Sequence, residues 1–186
     1  MSDDPKTSTA KNREMMLAKA ESMIDAFYAF DREHLARLLE KAGTARDQLL
    51  YYQGWAEGGN YRVLERRACV ARGASEVVCA ITVEDDPVLA LGLDFKVTDT
   101  FTLRFDGLDI VDVTTDSNDP PIYYAARDWV KAHRPDIMAG PCAGMCAGGT
   151  TPGDCARAMT EAYAQYAASD DFPGSDDGLP TTETSD

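Results

Sequence analysis

The sequence predicts an α+β protein in which N-terminal helices pack against an antiparallel β-sheet and further helices follow at the C-terminal end. Three observations carry this. Apolar residues recur at helical spacing from Lys11 to Glu57, alternate with period two after Gly58-Gly59, and return to helical spacing beyond Pro120.

The first element is a helix over Lys11–Phe30, with Met16, Ala20, Met23, Ile24, Phe27 and Phe30 on one face. Asp31 reads as the N-cap of a short helix carrying Leu35, Leu38 and Leu39, closed by Gly43. Thr44 and Asp47 have capping-box spacing for a third helix, Ala45–Glu57. Strands are expected over Tyr61–Arg72 and Glu76–Glu84, joined by a turn at Gly73-Ala74. Two more, Leu93–Phe105 and Leu108–Thr115, flank Asp106-Gly107, a pair that marks a tight hairpin. Asp119-Pro120 reads as a cap and first-turn proline for a helix from Pro121 to His133, ended by Pro135. Thr151-Pro152-Gly153-Asp154 opens a last helix reaching Ala168.

A single domain is therefore expected over residues 10–168, its C-terminal helical extension occupying 120–168. Residues 1–9 read as a disordered leader. The tail 169–186, with six acidic and no basic residues, is too polar to offset its ordering entropy.

Composition narrows the function classes. Of the 186 residues, 44% are hydrophobic, enough for a core, while the net charge of −14 excludes the basic face that nucleic acid requires. The sequence contains neither an 18-residue apolar run nor an N-terminal apolar segment. The expectation is a cytoplasmic protein with no nucleic-acid or membrane partner. The five cysteines, odd in number and unevenly spaced, do not read as a disulfide framework. Cys69 and Cys79 read as small buried hydrophobes in strands. Cys142, Cys146 and Cys155, beside His133, lack the compact pair of zinc ribbons and read as loop thiols, so no metal or other cofactor is expected.

One residue breaks its pattern. On the third strand Leu93, Phe95, Val97, Phe101, Leu103 and Phe105 share one face with Asp99. A carboxylate on an apolar face must pair, hydrogen-bond or take up a proton. Asp99 is therefore the candidate acid/base residue, with a structural hydrogen-bonding role as the alternative. Tyr51, Tyr52 and Trp55 cluster at helical spacing, as core or as a stacking surface. Tyr28, Tyr51, Trp55 and Phe101 are the candidate ligand contacts. The arginines Arg62, Arg66, Arg67 and Arg72 read as a solvated face. The glycine-rich stretch Gly140–Gly153 lacks the lysine of a phosphate loop and reads as a connection.

The segments Ala29-Phe30-Asp31-Arg32-Glu33-His34-Leu35-Ala36-Arg37-Leu38-Leu39 and Asp99-Thr100-Phe101-Thr102-Leu103-Arg104-Phe105-Asp106-Gly107-Leu108-Asp109-Ile110 resemble the nuclear-transport-factor-2-like (SnoaL-like) group, which includes ketosteroid isomerase. The resemblance spans residues 11–115 and implies a curved, cystatin-like cone of sheet around the helices, with an apolar pocket and dimers formed through the sheet. It places Asp99 on the strand face of the isomerase's hydrogen-bond-donating acid, two residues further from the turn. The isomerase's tyrosine aligns with Met23, which has no hydroxyl, and its general base aligns with Asp47, which the cap already explains. Ketosteroid isomerase chemistry is not implied. What is implied is an apolar pocket for a small molecule. The alternatives are a cofactor-free isomerase, cyclase, hydrolase or lyase using Asp99, and a homodimeric structural module whose pocket is filled by side chains.

Overall fold

The structure is a computed structural model that describes residues 5–145 and 152–173. It has the α+β architecture expected: helices on one face of an open antiparallel sheet, then C-terminal helices.

Helix α1 (Pro5–Tyr28) starts six residues before the predicted Lys11, inside the stretch read as a leader, and buries Met16, Ala20, Met23, Ile24 and Phe27. It stops at Tyr28 because Phe30 turns left-handed (φ 56°) and the Asp31 amide bonds back to the Ala26 carbonyl at 3.0 Å. Asp31 then caps α2 (Arg32–Leu38), accepting from the His34 amide at 2.9 Å.

The capping box predicted for α3 (Thr44–Gly58) does not form. Thr44 is already helical, Gly43 (φ 54°) is the N-cap without a side-chain cap bond, and the exposed Asp47 pairs with Arg46 at 3.8 Å. Buried Gln53 on α3 instead donates to the carbonyls of Ala26 (3.0 Å) and Phe27 (3.3 Å), satisfying the open end of α1.

The first predicted strand is two: β1 (Arg62–Arg66) and β2 (Val70–Arg72), both paired with β3 (Glu76–Glu84). The break between them is tied down. Arg66 pairs with Asp25 and, at 2.6 Å, with Glu21, whose carboxylate also accepts the Cys69 amide at 2.6 Å. Arg66 stays exposed, as expected of a solvated face, and also clamps the strand end onto α1. A disulfide joins Cys69 to Cys79 of β3, and a second joins Cys142 to Cys155. Both pairs correct the reading of these residues as free thiols. The register explains the first pair: Val70 stands opposite Val78, so the next residues outward, Cys69 and Cys79, also meet. The zinc alternative loses two of its four ligands to one bond, and Cys146 lies outside the described residues.

A short helix that periodicity did not reveal, α4 (Asp86–Ala90), follows β3, with Asp85 as N-cap and Pro87 in its first turn. Strand β4 (Val97–Asp106) consequently starts four residues after the predicted Leu93. It pairs with β3 and with β5 (Asp109–Ser117) through a hairpin at Gly107, whose φ of 58° suits glycine. The strand order is β1-β3-β4-β5. Inner positions Val97, Asp99, Phe101, Leu103 and Phe105 are all buried, so the predicted face is the observed one.

Helix α5 (Pro121–His133) has the predicted bounds, but Asp119 makes no cap bond. Helix α6 (Pro135–Ala139), absent from the sequence reading, precedes α7 (Pro152–Ala167), whose predicted cap Thr151 lies outside the described residues. Helices α3 and α7 cross closely: a Cβ on Gly58 would lie 2.3 Å from the Gly153 carbonyl oxygen. The start of the stretch read as a disordered tail is engaged. Asp171 accepts from the Trp129 indole at 2.8 Å, and the Phe172 ring packs 5.2 Å from that of Tyr166.

Candidate functional site

Asp99 is completely buried. Its partners come from three other elements. The Tyr28 hydroxyl, at the end of α1, donates to Oδ2 at 2.8 Å; the Tyr52 hydroxyl, on α3, donates to Oδ1 at 2.8 Å; the Ser117 hydroxyl, directly opposite on β5, donates to Oδ1 at 2.5 Å. Three hydroxyl donors on one carboxylate are the arrangement that keeps a buried charge tolerable. Burial pushes the Asp99 carboxyl up from its ordinary value, and the bonds from Ser117, Tyr28 and Tyr52 pull it back. The same burial, reinforced by the adjacent Asp99 charge, raises the Tyr28 and Tyr52 phenols well above theirs, so both stay protonated and remain donors.

Two of these partners face a cleft of about 290 Å³. Helix α3 contributes Tyr52 and Trp55 to its wall, and Tyr61 follows just beyond the helix. The end of β5 supplies Thr115, Asp116 and Ser117. Asp119 and the first turn of α5, with Tyr123 and Tyr124, close the other side. Its aromatic residues include two edge-to-face pairs, Tyr52 with Tyr61 (6.5 Å) and Tyr123 with Tyr124 (5.9 Å). The wall is aromatic, hydroxylic and acidic, where the sequence led to an apolar one.

Two further carboxyls act electrostatically on the wall tyrosines, Asp85 on Tyr61 and Tyr123 and Asp119 on Tyr123. Asp85 is 1% exposed; its carboxylate accepts the Val88 amide at 2.9 Å, while Oδ2 has no hydrogen-bond partner among the described residues. Burial, helped by the charges of Asp119, Asp99 and Asp86, pushes this carboxyl up to about 7. Burial also raises Asp119, against the pull of the Tyr124 hydroxyl (3.3 Å) and of Arg127, with Asp99 and Asp116 adding to the rise.

The expected site residues therefore separate. Trp55 lies on the cleft wall. Asp99 and Tyr28 lie behind it, coupled to it through Tyr52 and Ser117. Phe101 is fully buried, its ring 5.2 Å from that of Phe27, and belongs to the core. Tyr51 is half-buried on α3 and is not part of the cleft wall. Met23, aligned with the isomerase tyrosine, is buried in the core, and Asp47 is exposed on the first turn of α3. Sequence reasoning missed Ser117, which lies two residues past the predicted strand end, and Asp119, which was read as a cap. It missed Tyr61, Tyr123 and Tyr124 as wall residues because helical or strand spacing of aromatics needs only packing to explain it. Alternation carried on from the Phe105–Ile110 pair would have set Asp116 opposite Asp99; the register shift between Arg104 and Phe105 brings Ser117 there instead, and no local pattern announces it.

Among the described residues, no group of three or more His, Cys, Asp or Glu side chains is placed to hold a metal, and no helix is long and apolar enough to cross a membrane. In comparisons with protein-family models, curated proteins and solved structures, nothing matches the chain.

Proposed function

We propose that this chain is a small-molecule-binding protein whose ligand sits in the cleft between α3, the end of β5 and the start of α5. The observation that supports it is the arrangement behind the wall. Asp99, the one carboxylate on the inner sheet face, is spent on hydroxyls that belong to the wall itself, Tyr52 and Ser117. A carboxylate engaged this way fixes rotamers of wall residues, which is what pre-organises a binding site. Asp99 is a positioning residue in this reading, not an acid/base.

The helix-then-meander order and the place of Asp99 favour kinship with the nuclear-transport-factor-2-like group. The cleft's size, at the lower end for ligand sites, favours a small ligand. The two disulfides favour an oxidising environment over the cytoplasm.

The test uses the chain's two tryptophans, Trp55 and Trp129. Trp129→Phe leaves Trp55 as the sole indole, on the cleft wall. Its emission is followed against a panel of neutral, anionic and cationic small molecules. Saturable change with at least one member is expected; a silent Trp55 across the whole panel removes the binding reading.

A further inference from the structure

Resting on the reading of the cleft as a ligand site, we infer that its ligand is a small organic cation carrying an ammonium or quaternary ammonium group. Three features of the wall carry this. The first is ring density: Tyr52, Trp55, Tyr61, Tyr123 and Tyr124 make up five of the nine residues lining an open cleft of about 290 Å³. Aromatic faces attract cations through the ring quadrupole, and several rings around one small space are the usual cage for an alkylammonium. The second is charge. Asp116 and Asp119 lie on the wall, and no lysine, arginine or histidine does among the described lining residues. An anionic ligand would meet two carboxylates on the wall itself, with the Arg127 guanidinium outside the lining, and a neutral one would gain nothing from them. The third is depth. Behind the wall stands buried Asp99, its carboxylate held by three hydroxyl donors, so carboxylates lie on both sides of the aromatic layer.

The charged group facing this site from α5 is Arg127. Its guanidinium sits 5.2 Å from the ring centre of Tyr124, at the rim, so one wall ring already accepts a cation. Arg127 lies outside the lining, and its attraction reaches Asp119. Thr115 and Ser117 supply hydroxyl oxygens that accept from the N–H groups of a primary ammonium, while the rings suit the methyl groups of a quaternary one.

The experiment is isothermal titration of the full chain with choline and with 3,3-dimethylbutan-1-ol, its neutral carbon counterpart of nearly the same shape. Choline is expected to bind at least about 10-fold more tightly than the alcohol, since shape and hydroxyl are shared and only the charge differs. Asp119→Asn, at a half-buried position, should weaken choline by about 3- to 10-fold, and raised salt should weaken it further. Trp55→Leu should weaken it comparably, with circular dichroism and melting checked for both variants. Equal binding of the alcohol overturns the cation claim and leaves the cleft as a site. Choline binding indifferent to both variants also overturns it, placing the ligand elsewhere. If neither compound binds while Trp55 responds to a neutral or anionic panel member, the cation claim alone falls. If Trp55 responds to nothing, both readings fall.

Discussion

Asp85 offers a test of the buried electrostatics around the cleft that needs no ligand. Its carboxyl titrates near 4 in an unfolded chain and is pushed up to about 7 in the fold, chiefly by burial. The folded protein therefore binds the extra proton between those limits, and stability falls as pH rises through the window. Three pH units correspond to roughly 4 kcal/mol at full effect. Between pH 5 and pH 8 about 2–3 kcal/mol of that should be lost. Asp85→Asn keeps an oxygen to accept the Val88 amide, so the α4 cap survives, and it does not titrate. Urea unfolding of wild type and variant at pH 5 and pH 8 isolates the effect. The variant should gain roughly 2–3 kcal/mol relative to wild type on going from pH 5 to pH 8. Removing the Asp85 charge also eases Asp119, and that adds to the gain with the same sign. A difference between the two proteins that is identical at both pH values would refute the claim that Asp85 is held protonated by burial.

Asp99→Ala leaves three hydroxyls, Tyr28, Tyr52 and Ser117, without their acceptor and should destabilise by roughly 3–5 kcal/mol, read by denaturant unfolding. Reduction of the disulfides, which span separations of 10 and 13 residues, should cost about 3 kcal/mol each, seen as a lower Tm in reductant or in paired Cys→Ser variants. Gly58→Ala should destabilise by about 1–3 kcal/mol in the same assay, because its Cβ meets the Gly153 carbonyl and the helices must part.

The inner face of β4 was legible residue by residue, because period-two alternation of Val97, Phe101, Leu103 and Phe105 leaves one solution, and Asp99 stood out against it. Its partners did not, since hydrogen bonding among Tyr28, Tyr52 and Ser117 depends on how α1, α3 and β5 converge, and no local pattern encodes that. The helix faces were likewise plain, while their ends were less so. Thr44 and Asp47 have capping-box spacing, yet a left-handed Gly43 already turns the chain into α3. In Asp85-Asp86-Pro87 a genuine cap and first-turn proline were overlooked, since a five-residue helix is too short to show a period. The disulfides were hidden by an odd cysteine count, although Cys69 and Cys79 are equidistant from the hairpin turn and must face each other once it closes. The cleft was the least legible part. Its wall is drawn from four separate stretches, and the aromatic residues that line it obey the same spacing rules as a core.

The central claim is that the cleft is a ligand site whose wall is held in place by Asp99. It is tested most directly by ligand-induced shifts in Tm for wild type, Asp99→Asn and Asp99→Ala against the same small-molecule panel. The account predicts a shift in wild type, a smaller one in Asp99→Asn, whose remaining oxygen still accepts from Tyr52 and Ser117, and none in Asp99→Ala. A wild type that no compound stabilises, or an Asp99→Asn variant that loses the shift as completely as Asp99→Ala, would contradict it.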